Sequence, residues 1–236
     1  KSTIALFFAY NYCTFFTRIL VRKNTMLYLV RMKVVATNIG EKRSVIWKGQ
    51  EVTTGIFKYP VSNGIVLEKT DVQSDAVVDR KYHGGIDKAC YAYSSDYYDR
   101  WKQLHPELEW DFGMFGENLT IEGLDETTLS IGDVFKVGEA IIEVSQPRQP
   151  CMKLNVRLNS SQAVKQFVEF GRSGAYFRVL KEGRVSSGDI LELQSKGEPQ
   201  LPVYDVFQMI YQKGNDELRE IALGHSALAE ATKLSL

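Results

Sequence analysis

Cys151 lies in the stretch SQPRQPCMKLN, residues 145–155, with Pro147 and Pro150 before it, Arg148 on one side and Lys153 on the other. A thiol acts as a nucleophile or a metal ligand only as the thiolate, and nearby cations favour that form. Arg148 and Lys153 supply such a field if the backbone turns them inward. Each proline fixes φ at about −65° and removes a backbone donor, which stiffens the loop presenting the sulfur. A free cysteine also serves as a small buried hydrophobe. For Cys151 the flanking residues favour chemistry. For Cys90, in the alternating run KACYAYS, the core reading is favoured.

Two further segments are dense in polar groups that a core does not need. DRKYHGGIDKACYAY holds Asp79, Arg80, Lys81, His83, Gly84, Gly85, Asp87 and Lys88; FGMFGENLTIEG holds Glu117, Asn118 and Thr120. Paired glycines permit positive φ and the close approach of a ligand. Arg80, Lys81 and Lys88 suit phosphate or another oxyanion, because arginine offers a fork of donors and lysine a point charge. No GK[ST] follows the glycines, so a P-loop is excluded. Asn118 reads either as a turn residue or as a hydrogen-bonding group for a ligand, and His83 as a turn residue or an acid–base partner. His105 and His225 read as helix-end and tail residues.

Composition bounds what these groups can serve. The chain has 236 residues, 44% hydrophobic and 25% charged, which suits one domain with a small appendage. Lysine plus arginine equals aspartate plus glutamate at 29 each, which argues against a general nucleic-acid or anionic-membrane binder. Three cysteines, widely spaced and without a CxxC pair, form neither a disulfide framework nor a structural zinc site. A reducing, cytoplasmic setting is expected. Residues 1–31 look foreign to the rest. Their apolar run, IALFFAYNYCTFF, is shorter than the roughly 20 residues a membrane-spanning helix needs. They are expected to be a non-core extension, with the folded protein beginning near Met32.

The elements that must position the chemistry are mostly short strands. GIVLEKTDV, LSIGDVFKV, GEAIIEVSQ and GDILELQS are rich in branched residues and bounded by glycine and aspartate, favouring a barrel or sandwich. In AIIEVS, Ala140, Ile142 and Val144 share one face. SSDYYDRWKQLHPEL predicts a helix with serine caps and a Tyr97, Trp101, Leu104 stripe. SSQAVKQFVEFG predicts another, with Val164, Phe167 and Val168 on one side and Gly171 at its end. After Pro199 the spacing turns helical. Val203, Val206, Phe207, Ile210 and Tyr211 mark one helix, ending near Lys213–Gly214. Asn215 caps a second that closes on Gly224, and a third starts from Ser226. The expected organisation is a β-rich body over 32–198 and a short helical domain over 199–236.

HGGIDKACYAY, FGENLTIEGLDETTLSIGDVFKVGEA and VSQPRQPCMKLN, in that order and spacing, resemble the MOSC family, named after the C-terminal part of molybdenum cofactor sulfurase. The branch they look most like is that of the bacterial 6-N-hydroxylaminopurine resistance proteins, over residues 32–195. The resemblance implies a mainly β fold, a MOSC-type β-barrel with peripheral helices, followed by a small C-terminal helical bundle. It implies a molybdenum cofactor (molybdopterin) and a cysteine, here Cys151, that ligates molybdenum or carries sulfur. On that reading the chain reduces small N-hydroxylated compounds to amines, with electrons from an unidentified donor protein and no part for nucleic acid or membrane. Cys151, His83 and Asn118 are the catalytic candidates. Arg80, Gly84, Gly85, Asp87, Lys88, Gln146, Arg148 and Lys153 are the cofactor-binding ones. Two other readings stand beside it: a non-catalytic cofactor carrier, and metal-free cysteine chemistry, either persulfide transfer or a hydrolase pairing Cys151 with His83.

Overall fold

The computed structural model describes residues 31–80, 84–212 and 215–236. The extension expected over 1–31, Cys13, Lys81, His83 and the Lys213–Gly214 helix end therefore lie outside the described residues, apart from Arg31.

Among the described residues, short alternating runs form twelve strands: β1 (Lys33–Gly40), β2 (Arg43–Trp47), β3 (Gln50–Thr54), β4 (Lys58–Pro60), β5 (Ile65–Leu67), β6 (Cys90–Ser94), β7 (Leu119–Glu122), β8 (Val134–Val137), β9 (Ala140–Pro147), β10 (Ala175–Lys181), β11 (Gly183–Val185) and β12 (Glu192–Ser195). Eight of them make one curled sheet in the order β12-β8-β9-β10-β6-β7-β1-β4, antiparallel throughout except for β6 beside β7. The chain running into β12 also bonds to β1, through Val34 N–H to the Asp189 carbonyl (2.9 Å) and Leu191 N–H to the Met32 carbonyl (2.9 Å). The two flanks of the sheet are joined there. The architecture is mainly β with peripheral helices, as the sequence predicts.

Alternation sorts the strands' two faces into two cores. Ala140, Ile142 and Val144 of β9 enter an aliphatic core with Val34, Ile121 and Phe177. Tyr91 and Tyr93 of β6 face an aromatic core with Trp101, Phe115, Phe167 and Phe207, while Cys90 and Ala92 face the aliphatic one. Both Gly-Asp turns share one construction. Asp133 accepts from Ser130 N–H (3.1 Å) and Asp189 from Ser186 N–H (2.8 Å), so each SxGD closes a turn with its own carboxylate.

Among the described residues, the α-helices whose bounds are defined are six: α1 (Tyr98–Leu104), α2 (Met152–Arg157), α3 (Ala163–Phe170), α4 (Val203–Tyr211), α5 (Asp216–Gly224) and α6 (Glu230–Lys233). Gly171 ends α3 in the left-handed conformation at φ 71°. Asn215 caps α5, its side chain accepting from Glu217 N–H (2.9 Å). Two expectations shift. Helix α1 buries Tyr98 and Trp101, leaving Leu104 exposed and Tyr97 as its N-cap, because Ser95–Tyr97 form a 3-10 turn first. The last helix starts at Glu230 rather than Ser226. The backbone before it is spent on the barrel: Ala229 N–H donates to the Ser145 carbonyl (3.1 Å), and the Ala227 carbonyl accepts from Arg178 (2.7 Å). No helix among the described residues is long and apolar enough to cross a membrane.

Candidate functional site

Strand β9 delivers the thiol. After Pro147, which still pairs with Ala175 across the ladder, the chain turns through Arg148–Pro150 and reaches Cys151 in an extended conformation. Cys151 is the N-cap of α2 and half-buried, with its carbonyl accepting from Leu154 N–H (2.9 Å). Arg148 points inward and is only 5% exposed, its guanidinium 5.1 Å from the Tyr91 ring centre and 5.2 Å from that of Phe167. Among the described residues its Nη1 has no hydrogen-bond partner. Burial opposes the charge. Tyr91, Tyr176 and Cys151 around it nonetheless hold the Arg148 pKa above its ordinary value. Burying an unpaired charge is costly unless something of opposite charge meets it.

Cys151 borders two neighbouring cavities. The inner one, of about 90 Å³, runs between Lys58, Asp75, Tyr91, Phe115, Asn118 and Arg148. The outer, of about 500 Å³, lies between the β9 end, α2 and the tail, with Gln146, Pro147, Met152 and Thr232 in its walls. Lys88, Lys153 and Tyr176 line both. The outer volume falls within the range of about 300–1,000 Å³ usual for small-molecule sites. Burial lowers the Lys88 pKa, opposed by the adjacent Asp87.

The FGEN loop is held from inside. Glu117, fully buried, accepts from the Tyr98 hydroxyl, Gly113 N–H (2.9 Å), Phe115 N–H (3.0 Å) and the Thr120 hydroxyl (2.9 Å). The Asn118 amide is engaged at both ends. Its oxygen accepts from Tyr91 N–H (3.3 Å), and its nitrogen donates to Asp75 (2.9 Å) and to the Asn38 carbonyl (3.3 Å). Asp75 also pairs with Lys58 and accepts from Gly40 N–H (2.9 Å), which fixes the loop after β5 over the inner cavity.

The HGG segment divides. Gly85 sits at φ 99° and ψ 175°, backbone that only glycine adopts readily, and opens the 3-10 turn Ile86–Lys88. Asp87 is bound to Arg178 (2.5 Å), which also reaches Glu143 (2.8 Å), so its carboxylate anchors that turn to β10 and β9. Arg80 is exposed and pairs with Asp71 at the inner rim. Gly84 packs on Arg80 and Val77. The structure thus brings Cys151, Arg148, Lys153, Lys88, Gln146 and Asn118 to one place. Sequence reasoning missed Tyr91, Tyr176, Lys58, Asp75 and Thr232. Only the β-branched and aromatic alternation around Tyr91 and Tyr176 carried any signal for them.

Comparison with known proteins adds an independent line. The profile of the MOSC domain matches residues 79–192. The Bacillus subtilis protein YflK, described as uncharacterized, is 38% identical over 207 residues, covering 87% of this chain and 93% of its own length. A Gibberella moniliformis protein named "Reductase" is 33% identical over 191 residues, 80% of this chain and 32% of that protein, so the chain spans about a third of it. The crystal structure of YiiM from Geobacillus stearothermophilus superposes with a TM-score of 0.72 at 31% identity, covering 86% of this chain and 96% of that one.

Proposed function

The chain belongs to the MOSC domain family, and from that premise we propose that it binds a molybdenum cofactor and reduces N-hydroxylated compounds, such as hydroxylaminopurines, to amines. The observation that carries the reading is a buried arginine with an unpartnered donor beside a half-buried thiol, where two cavities meet. The residues fit the group. Among those described, no cluster of three or more His, Cys, Asp or Glu could hold a metal ion. A lone protein sulfur suits a metal whose other ligands arrive with an organic cofactor, and a thiolate suits molybdenum better than a hard cation. A pterin phosphate or an oxo-metal group brings the negative charge that Arg148, Lys153 and Lys88 are placed to meet.

Cys151 would ligate the metal, held in place by the proline turn and α2. Arg148 fixes the anionic end, its orientation set by the Tyr91 and Phe167 rings. Gln146 would orient ligands by hydrogen bonds, while Asn118 holds the wall of the inner cavity through Asp75 and Tyr91; His83 is proposed for the ligand-orienting role on the sequence alone. Phe115, Tyr176 and the tail exclude water. When bound, the cofactor supplies a centre able to pass electrons to an N–O bond. Converting N–OH to N–H takes two electrons and two protons, breaks the N–O bond and releases water. The electrons come from a donor protein. The Gibberella relative's name, a reductase, is in keeping with this direction of chemistry.

The test is elemental and pterin analysis of protein from a host that makes the cofactor, beside Cys151→Ala, with turnover of 6-hydroxylaminopurine by a reduced viologen. Stoichiometric molybdenum and turnover, both lost in Cys151→Ala, are expected. Pterin and molybdenum absent from both proteins would overturn the reading, and bound cofactor without turnover would leave a carrier.

A further inference from the structure

The C-terminal tail lines the outer cavity with Ala231, Thr232 and Ser235, and Thr232 touches a buried amide there. Gln146, on β9, is 3% exposed and lines that cavity. Its Oε1 accepts a hydrogen bond from the Thr232 hydroxyl of α6 at 2.7 Å. No hydrogen bond among the described residues uses its Nε2, which is not one of the buried donors left without a partner. An amide donor at the wall of a cavity is free to bond water there, or an acceptor on whatever displaces that water. An amide can present either end. By occupying the carbonyl, Thr232 leaves only the N–H donors toward the cavity. The surrounding walls, Pro147, Pro150, Met152 and Tyr176, offer flat or adaptable apolar faces of the kind that take a planar ring.

We infer that the outer cavity takes a planar heteroaromatic ring, reads an acceptor atom on its edge through Gln146, and owes that selectivity to Thr232, a positioning residue in the tail. The inference deepens the function proposed above and rests on its placing of ligands in this cleft. A purine substrate and the pterin of the cofactor share the chemistry. Thr232 is held in position by bonds that do not use its own hydroxyl: Ala229 N–H to the Ser145 carbonyl (3.1 Å) and Arg178 to the Ala227 carbonyl (2.7 Å). Removing that hydroxyl therefore frees the amide without releasing the tail.

The experiment is calorimetric binding to the full chain, prepared with and without cofactor supply. The probes are adenine, its 1-deaza, 3-deaza and 7-deaza analogues, pterin and 5-deazapterin. Each deaza compound replaces one ring acceptor by C–H. In the native protein one such replacement costs about tenfold in affinity, the scale of one lost hydrogen bond. In Thr232→Val the penalty falls below about threefold as the amide turns freely, and in Gln146→Leu it vanishes. Discrimination among the purines identifies the substrate's ring as the occupant; discrimination among the pterins alone, in cofactor-free protein, identifies the cofactor's. A penalty unchanged in either variant, or no binding of either ring type to the native protein, overturns the inference. Melting temperatures establish that each variant is folded, and should Gln146→Leu fail to fold, Thr232→Val decides alone. Ring binding needs neither metal nor turnover. Ring discrimination by protein that takes up no molybdenum from a host that makes the cofactor would sink the redox reading and leave this inference standing.

Discussion

Replacing Glu117 by alanine tests whether the FGEN loop owes its shape to an internal carboxylate. Four donors converge on that side chain: the Tyr98 and Thr120 hydroxyls and the Gly113 and Phe115 N–H groups. Each buried donor left unsatisfied costs about 1–3 kcal/mol, which gives a ceiling of roughly 4–12 kcal/mol if all four stay dry. Two effects reduce it. Water enters the space the side chain vacates, and the cost of keeping the carboxylate away from solvent disappears with it. The net loss expected is about 3–5 kcal/mol, the scale of breaking a buried charged network. For a folded unit of this size each kcal/mol shifts Tm by roughly 2–4 °C, so the midpoint should drop by about 6–20 °C.

Glu117→Gln separates the contributions. It keeps one carbonyl for Gly113, Tyr98 and Thr120 but sets an amide N–H₂ against Phe115 N–H, so it should cost about 1–3 kcal/mol. The assay is urea unfolding followed by tryptophan fluorescence, since buried Trp101 donates to the Tyr93 hydroxyl in the aromatic core that also holds Phe115. The alanine variant should also change the alkylation rate of Cys151, because Phe115, Gly116 and Asn118 wall the inner cavity beside it. An alanine variant within about 1 kcal/mol of native, or a glutamine variant worse than alanine, would falsify the account.

Cys90 and Cys151 should separate in native alkylation: peptide mapping finds Cys151 modified and Cys90, buried with its pKa pushed up to about 12, untouched. Between the ordinary value of 9.0 and 12 the unfolded chain has released the Cys90 proton and the folded chain has not, so stability falls as pH rises. Relative to Cys90→Ala, the native protein should lose about 1.4 kcal/mol between roughly pH 8 and 10, and a gap that stays constant refutes this. Arg148→Met removes an unpaired buried charge while keeping most of the packing on Tyr91 and Phe167. Its stability should match or exceed native by about 0–3 kcal/mol while molybdenum content falls, and a strongly destabilised variant would show that the contacts of Arg148 with Tyr91 and Tyr176 outweigh the cost of burying its charge. Asn215→Ala should cost about 1 kcal/mol in urea unfolding through its lost helix cap, and no loss would place the α5 start elsewhere.

Where a feature is closed within a few residues, the sequence shows it. The SxGD turns bond their own serine, Asn215 bonds Glu217, and Gly171 supplies the left-handed stop, each within four positions. The shifts arose where tertiary contacts overrode local preference. Helix α1 turned Trp101 and Tyr98 inward because both rings pack on Phe115, and its serines gave way to a 3-10 turn. Helix α6 began late because the barrel claimed the preceding backbone. Neither event leaves a mark in the residues immediately around it.

The candidate site follows the same division. Cys151, Arg148 and Lys153 are legible because two prolines and two cations crowd one short stretch. Which cation is buried is not legible, since that depends on Tyr91 and Phe167 arriving from β6 and α3. Asn118 reads as a ligand-binding amide in isolation, yet Tyr91, Asp75 and Asn38 converge on it from other elements and use both its ends. Gln146 is the converse: one end is taken by Thr232, 86 positions away, and the other is left open. A buried amide's function depends on which of its ends the fold consumes. Asn118 is thereby a support for the cavity wall, whereas Gln146 keeps an amide donor, the group to which the inference above assigns the selection of what enters.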